Sequence, residues 1–350
     1  MGDKKQIVVG ITGLNNHDNP GPGVPIIRGI RKSERFRDVR IVGLAYENLE
    51  PGIYMRDLVD KAYLVPYPSS GSDAYLSRIM EIHAKENFDV IIPNFDAELY
   101  IFIANKDFLK QQGISVFVPE LDVFEERHKA NLYEFGQKYG FLVPKTKAIT
   151  DVKDLAFLPE GFSYPIWIKG KYYEAYPAYD YHQAVYYFNR IAAKWGLPII
   201  IQEYVRGTEV NAVALGDGKG NMVACVPMRK QYITDKGKAW AGIAIKDDNL
   251  VKLAEDFFRK TRWAGGIELE VIKTNDERYY IIEINPRLPA WVYLAVGAGQ
   301  NIPEALLRLA LGEEVEPMRD FKVGTMFIRY SYDLIGHISD FEKINIYGEL

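Results

Sequence analysis

Two short runs, Gly265-Gly266-Ile267-Glu268-Leu269-Glu270-Val271 and Tyr279-Tyr280-Ile281-Ile282-Glu283-Ile284-Asn285-Pro286-Arg287, flank the polar segment Thr274-Asn275-Asp276-Glu277. Their β-branched and aromatic content and the turn residues between them predict a β-hairpin. Side chains alternate between the faces of a strand, so Glu268 and Glu270 share one face, as do Glu283 and Asn285 on the other strand. Carboxylates that converge across strands repel each other and call for a compensating cation. Magnesium takes hard oxygen ligands, typically one or two carboxylates with waters and phosphates, and Glu270, Glu283 and Asn285 fit that role. Arg287, just past the strand, offers its fork of donors to a phosphate or carboxylate. A glutamate pair on a hairpin is ordinarily a solvated face, but the Asn-Pro-Arg that follows shifts the reading toward a site.

Upstream, strand-like runs at Ile199–Tyr204, Glu209–Leu215 and Met222–Met228, with a helix over Lys246–Thr261, predict an α+β domain built on an antiparallel sheet. The first third differs. Gln6–Ile11, Val39–Gly43, Ala62–Val65, Val90–Pro93 and Val116–Pro119 read as strands that alternate with helical spacing over Ser72–Asn87 and Ala97–Gln112, which implies a parallel α/β sheet. Ligands of such sheets lie at the carboxyl ends of the strands, here the Asn15–Gly23 and Asn94–Glu98 loops. A helix over Glu125–Tyr139 connects to a strand at Pro165–Lys169 and a helix over His182–Lys194 that buries Val185, Phe188 and Ile191. The expected division is an α/β domain over residues 1–124, a linker helix and small mobile lid over 125–198, and the antiparallel domain with the metal site over 199–350.

Composition narrows the function classes. A chain of 350 residues exceeds what one core normally organises, and 48% hydrophobic content with 26% charged residues is globular rather than disordered. The net charge of -4, without a long run of one sign, argues against a nucleic-acid partner. Cys225, the single cysteine, precludes an internal disulfide and fits a reducing cytoplasm. No apolar stretch reaches the roughly 18 residues of a membrane span, so a cytoplasmic protein without membrane contact is expected.

Ile282-Glu283-Ile284-Asn285-Pro286-Arg287 resembles the metal-binding strand of the ATP-grasp superfamily, especially carbamoyl phosphate synthetase large subunits, biotin carboxylases and related carboxylate–amine ligases. Other elements follow in the family's order: Lys129, then Tyr139–Thr146, then Tyr164-Pro165-Ile166-Trp167-Ile168-Lys169, then Gln202-Glu203-Tyr204-Val205-Arg206-Gly207-Thr208-Glu209. The resemblance covers nearly the whole chain and implies an ATP-grasp fold preceded by a parallel-sheet domain. It implies that Lys129 and Lys169 contact nucleotide phosphates, that Glu203, Tyr204 and Val205 meet the adenine, and that Glu209 accepts the ribose hydroxyls. It gives magnesium, with manganese as a substitute, to Glu270, Glu283 and Asn285, and stabilisation of the transferred phosphoryl group to Arg229 and Arg287. The implied activity is ATP-dependent activation of a small carboxylate as an acyl phosphate for attack by an amine, with a homodimer left open. One departure stands out: after Lys169 the family commonly carries a glycine-rich loop, whereas this chain reads Gly170-Lys171-Tyr172-Tyr173-Glu174-Ala175-Tyr176, so Lys171 or the tyrosine hydroxyls would have to replace the backbone cradle. That departure keeps a second reading in view, an ATP-binding module with lost or altered catalysis.

Overall fold

The computed structural model describes residues 6–16, 20–170, 174–235 and 237–350, and the chain divides into two compact units.

The first unit comprises residues 1–121, 211–268 and 285–350. Its four-stranded sheet runs in the order Lys61–Leu64, Arg40–Ala45, Val8–Ile11, Val90–Ile92, all parallel, with Val9 opposite both Ile41 and Val90. Val8, Val9, Gly10 and Ile11 are all buried, as expected of a parallel strand covered on both faces. One face packs Ile26, Ile27 and Ile30 of the helix Gly23–Lys32, and the other packs Tyr75, Ile79 and Ile82 of the helix Ser72–Glu86. Gly23 opens its helix where a Cβ would lie 2.2 Å from the Thr12 carbonyl oxygen, so only glycine fits the turn that follows the first strand. A second sheet orders Ala264–Lys273, Thr208–Asp217, Met222–Ile233, Ala239–Ala244 and Met326–Ile328, with antiparallel pairs such as Val226 with Val213 and Arg229 with Ile243. The helix Asp248–Thr261 starts where the Asp247 carboxylate accepts the Leu250 N–H, and buries Leu250, Ala254, Phe257 and Phe258. The chain ends by laying Leu350 beside Ala62.

The second unit comprises residues 122–210 and 269–284. Its sheet runs Thr146–Ile149, Ile199–Glu203, Ile166–Gly170, Ala175–Ala178, all antiparallel. The helix Tyr181–Trp195, capped by the Asp180 carboxylate on the Gln183 N–H, lays Ala184, Phe188 and Ile191 on Ile166, Ile168, Ile199 and Ile201. The expected hairpin is present: the Thr274 N–H donates to the Arg278 carbonyl at 2.9 Å and closes the turn ahead of Tyr279–Asn285.

The mixed architecture, a parallel N-terminal sheet with antiparallel sheets after it, is the expected fold class. Three local expectations fail. Val116–Pro119 forms no strand; the chain there makes one parallel bridge, Ser115 with Val90, and Pro119 has no N–H to give a ladder. The helix expected over Ala97–Gln112 breaks into Asp96–Ala104 and Lys106–Gln111 at Asn105, whose side-chain amide donates to the Ile101 carbonyl at 2.8 Å. The helix expected over Glu125–Tyr139 is two short ones, Leu121–Glu126 and Leu132–Tyr139, with turns across 127–131.

Candidate functional site

In the second unit a strand places the central lysine. Along Ile166–Gly170 the residues Ile166 and Ile168 are fully buried in the core, and alternation turns Trp167 and Lys169 to the opposite face. There Trp167 stacks on Tyr204 with ring centres 5.6 Å apart, Tyr179 lies against Tyr204 at 6.3 Å, and the Lys169 ammonium sits 5.8 Å from the Trp167 ring centre. Burial, and after it the neighbouring Lys129 charge, pull the Lys169 pKa down to about 8, while Glu283, Glu270 and Glu209 oppose the shift. Two ammonium groups and three carboxylates therefore act on one another across this face. Lys129, in the turn before Leu132–Tyr139, is paired with Glu283 at 3.2 Å.

The residues expected to border the adenine, Glu203, Tyr204 and Val205, lie at the end of one strand and in the connection that follows it. Glu203 ends its strand, and its carboxylate accepts the Lys145 N–H at 3.1 Å while its own N–H donates to the Lys145 carbonyl at 2.8 Å. Gly207 passes so close to Lys273 that a Cβ would stand 2.3 Å from the Lys273 carbonyl oxygen. An open cavity of about 310 Å³ adjoins this connection, lined by Glu203, Tyr204, Val205 and Arg206 together with the hairpin turn.

In the first unit the remaining residues have their own neighbours. Asn285 donates its side-chain amide to Glu268 Oε2 at 3.1 Å. Glu268 is buried and also accepts Trp291 Nε1–H at 2.6 Å and, more weakly, the Asn211 amide at 3.4 Å. Arg287 pairs with Asp96 at 3.3 Å, and Arg229 lies on the Met222–Ile233 strand with its side chain exposed. Among the described residues no group of three or more His, Cys, Asp and Glu side chains is gathered to hold a metal.

Two features were not legible in the sequence. Glu268 reads there as one of several converging carboxylates that repel each other; in the fold its charge is met by three side-chain N–H donors. The Asn94–Glu98 loop reads as a substrate loop, but Glu98 is fully buried and braces it: its carboxylate accepts the Asn94 and Phe95 N–H groups at 2.6 and 3.0 Å and the hydroxyls of Thr12, Tyr46 and Tyr75. Burial raises its pKa. No local pattern identifies it, because Phe95 at the helix start has no side-chain acceptor and only the Glu98 half of a capping box is made. Lys171, Tyr172 and Tyr173, expected to stand in for the glycine-rich loop, lie outside the described residues, as do His17–Asn19 of the Asn15–Gly23 loop. No helix among the described residues is long and apolar enough to cross a membrane.

Comparison with known proteins agrees with this architecture. A family model described as ATP-grasp in the biosynthetic pathway with Ter operon matches residues 197–328. The carbamoyl phosphate synthase large chains of Clostridium beijerinckii and Clostridium botulinum are each 24% identical over 75% of this chain, and the chain spans only 25% of their length. Among solved structures, the biotin carboxylase domain of Hydrogenobacter thermophilus 2-oxoglutarate carboxylase, in complex with MgADP, ADP and bicarbonate, superposes with a TM-score of 0.71 at 16% identity, covering 92% of this chain and 74% of that one. The L-amino acid ligase of Bacillus licheniformis gives a TM-score of 0.67 at 16% identity, over 89% of this chain and 76% of that one. The chain thus carries the ATP-grasp fold, similar to that of the biotin carboxylases, preceded by a parallel-sheet domain.

Proposed function

We propose that this protein is an ATP- and magnesium-dependent ligase that activates a small carboxylate as an acyl phosphate for attack by an amine. The observation that carries the reading is the charged face of the second unit, where a partly desolvated Lys169 sits with Lys129 among Glu209, Glu270 and Glu283. A lysine with a depressed pKa beside a second ammonium gains from an anion, and a polyphosphate supplies one. The carboxylates suit a hard divalent cation, and the ammonium of Lys129 meets the charge of Glu283 in its place. The residues therefore fit both groups of the nucleotide–metal pair.

In this reading Lys129 and Lys169 hold the phosphates, and Tyr204, Val205 and Glu203 border the base beside the 310 Å³ cavity. Glu209 holds the ribose. Glu270, Glu283 and Asn285 hold magnesium, which when bound neutralises charge on the phosphates. Glu268 keeps the Asn285 amide nitrogen engaged and so directs its oxygen away from itself. Arg229 and Arg287 stabilise the oxygens of the transferred phosphoryl group, and Asp96 keeps Arg287 oriented until substrate arrives. Phosphoryl transfer asks mainly for this positioning and charge neutralisation. The small Tyr164–Pro198 segment closes over the nucleotide and shields the acyl phosphate from water.

The L-amino acid ligase likeness, and that to the phosphoribosylglycinamide synthetase of Anaerococcus prevotii at a TM-score of 0.64, support an amine as acceptor. The test is chemical trapping: protein, ATP, magnesium and pools of small carboxylic acids are incubated with hydroxylamine, which converts acyl phosphates to hydroxamates. Hydroxamate that appears with one acid pool and requires both ATP and magnesium supports the ligase. ATP binding without hydroxamate from any pool would favour the ATP-binding module instead.

A further inference from the structure

The strand Met326–Ile328 ends its sheet, paired to Ala239–Ala244 on one side only. Residues 329–337 continue from it without helix or strand. Natural sheet edges are usually blunted by lysine, proline or a bulge. Residues 326–335 contain no lysine and no proline. Instead Met326, Ile328, Tyr330, Tyr332, Leu334 and Ile335 are exposed, Tyr330 to 77% and Ile335 to 94% of their surface. With large side chains presenting about 200 Å² each, this edge exposes roughly 800 Å² of mostly apolar surface, what each partner buries in a stable complex.

The stretch Ile328-Arg329-Tyr330-Ser331-Tyr332-Asp333-Leu334 is complementary to itself in antiparallel order. With Ser331 at the centre, Tyr330 meets Tyr332, Ile328 meets Leu334, and Arg329 meets Asp333. The two tyrosines already share a face, stacked with ring centres 5.6 Å apart. The charge pair is unmade within one chain. Arg329 uses Nε on the Ala239 carbonyl at 3.1 Å, but its buried Nη2 has no hydrogen-bond partner among the described residues. Desolvation with no acid beside it lowers its pKa to about 10. Asp333 is exposed and makes no ion pair among the described residues. A lone desolvated guanidinium is costly, and a carboxylate brought to it from outside the chain relieves that cost.

We propose that a second copy of this chain occupies the edge, pairing antiparallel over residues 328–334 about a two-fold axis through Ser331, so that Arg329 of each copy faces Asp333 of the other. A two-fold interface of this kind uses one patch twice, which the self-complementary stretch provides.

Two experiments on the full chain test it. Sedimentation from 1 to 100 µM should give twice the 40.0 kDa chain mass. Asp333→Arg, a change at an exposed position, should weaken the dimer at least tenfold, and adding Arg329→Asp should restore it. In the second experiment, cysteines report the register. Ser331→Cys places two thiols opposite each other and should cross-link readily under mild oxidation. Tyr332→Cys offsets them beyond the roughly 7 Å that a disulfide spans and should not. Cys225 is buried and leaves the background clean. A monomer across that range, equal cross-linking of the two variants, or a dimer indifferent to Asp333→Arg would overturn the proposal.

Discussion

Replacing Glu268 with Gln tests whether that carboxylate braces the strand that ends at Asn285, and the structure sets the size of the effect. One oxygen accepts Trp291 Nε1–H at 2.6 Å and the Asn211 amide at 3.4 Å; the other accepts the Asn285 amide at 3.1 Å. Glutamine keeps one acceptor and turns the other into a donor. If its oxygen stays on Trp291, its NH2 meets the Asn285 NH2, and either two donors face each other or Asn285 rotates. Losing a charged acceptor in a buried network costs about 1–3 kcal/mol, a Tm fall of roughly 2–4 °C for a chain this long. Rotation of Asn285 would also turn its oxygen toward residue 268, so the magnesium concentration for half-maximal activity should rise. Calorimetry without ligand gives the first quantity and a magnesium titration the second. A Tm equal to the parent's, with an unchanged magnesium requirement, would refute the bracing role.

Under the proposed function Lys169 ties nucleotide binding to pH. Its folded pKa of about 8 lies below the unfolded value of about 10.5, so the unfolded chain binds more protons between these limits and stability rises with pH through that window. A bound polyphosphate would raise the pKa, so ATP binding at pH 8.5 should take up a proton and binding at pH 6.5 should not; calorimetry in two buffers of different ionisation enthalpy reads the difference. Lys169→Ala should abolish the uptake and weaken ATP binding by about 1–3 kcal/mol, and unchanged affinity would remove Lys169 from the site.

Much of this was legible from the chain because period and polarity are local properties. The hairpin around Thr274–Glu277 follows from alternation on both sides of a turn, and the helix Tyr181–Trp195 from its apolar spacing. The misses arose where a single polar side chain or a distant partner decides. Asn105 breaks a helix through its own amide, and Ser115 takes a bridge rather than a strand. The donors to Glu268 lie 57 residues upstream at Asn211 and 23 downstream at Trp291, a convergence that no sequence window contains. Glu98 is similar: the loop that holds it was visible, whereas the hydroxyls of Thr12 and Tyr46 that meet it come from the ends of other strands. Lys169 shows the opposite case, because its place on an apolar strand, on the face opposite Ile166 and Ile168, follows from local alternation alone.

The ligase account rests most directly on Glu283, and one paired measurement on Glu283→Gln decides it. Glu283 and Lys129 are both partly exposed at 3.2 Å, a pair worth about 0–1 kcal/mol, so the variant should melt within a degree or two of the parent. Magnesium-dependent ADP release with the acid and amine substrates present should fall more than a hundredfold, since a metal ligand that stabilises transferring charge is worth several kcal/mol. A variant that keeps its Tm and loses turnover is the predicted result; one that keeps both its Tm and its ADP release would contradict the metal assignment and the mechanism built on it.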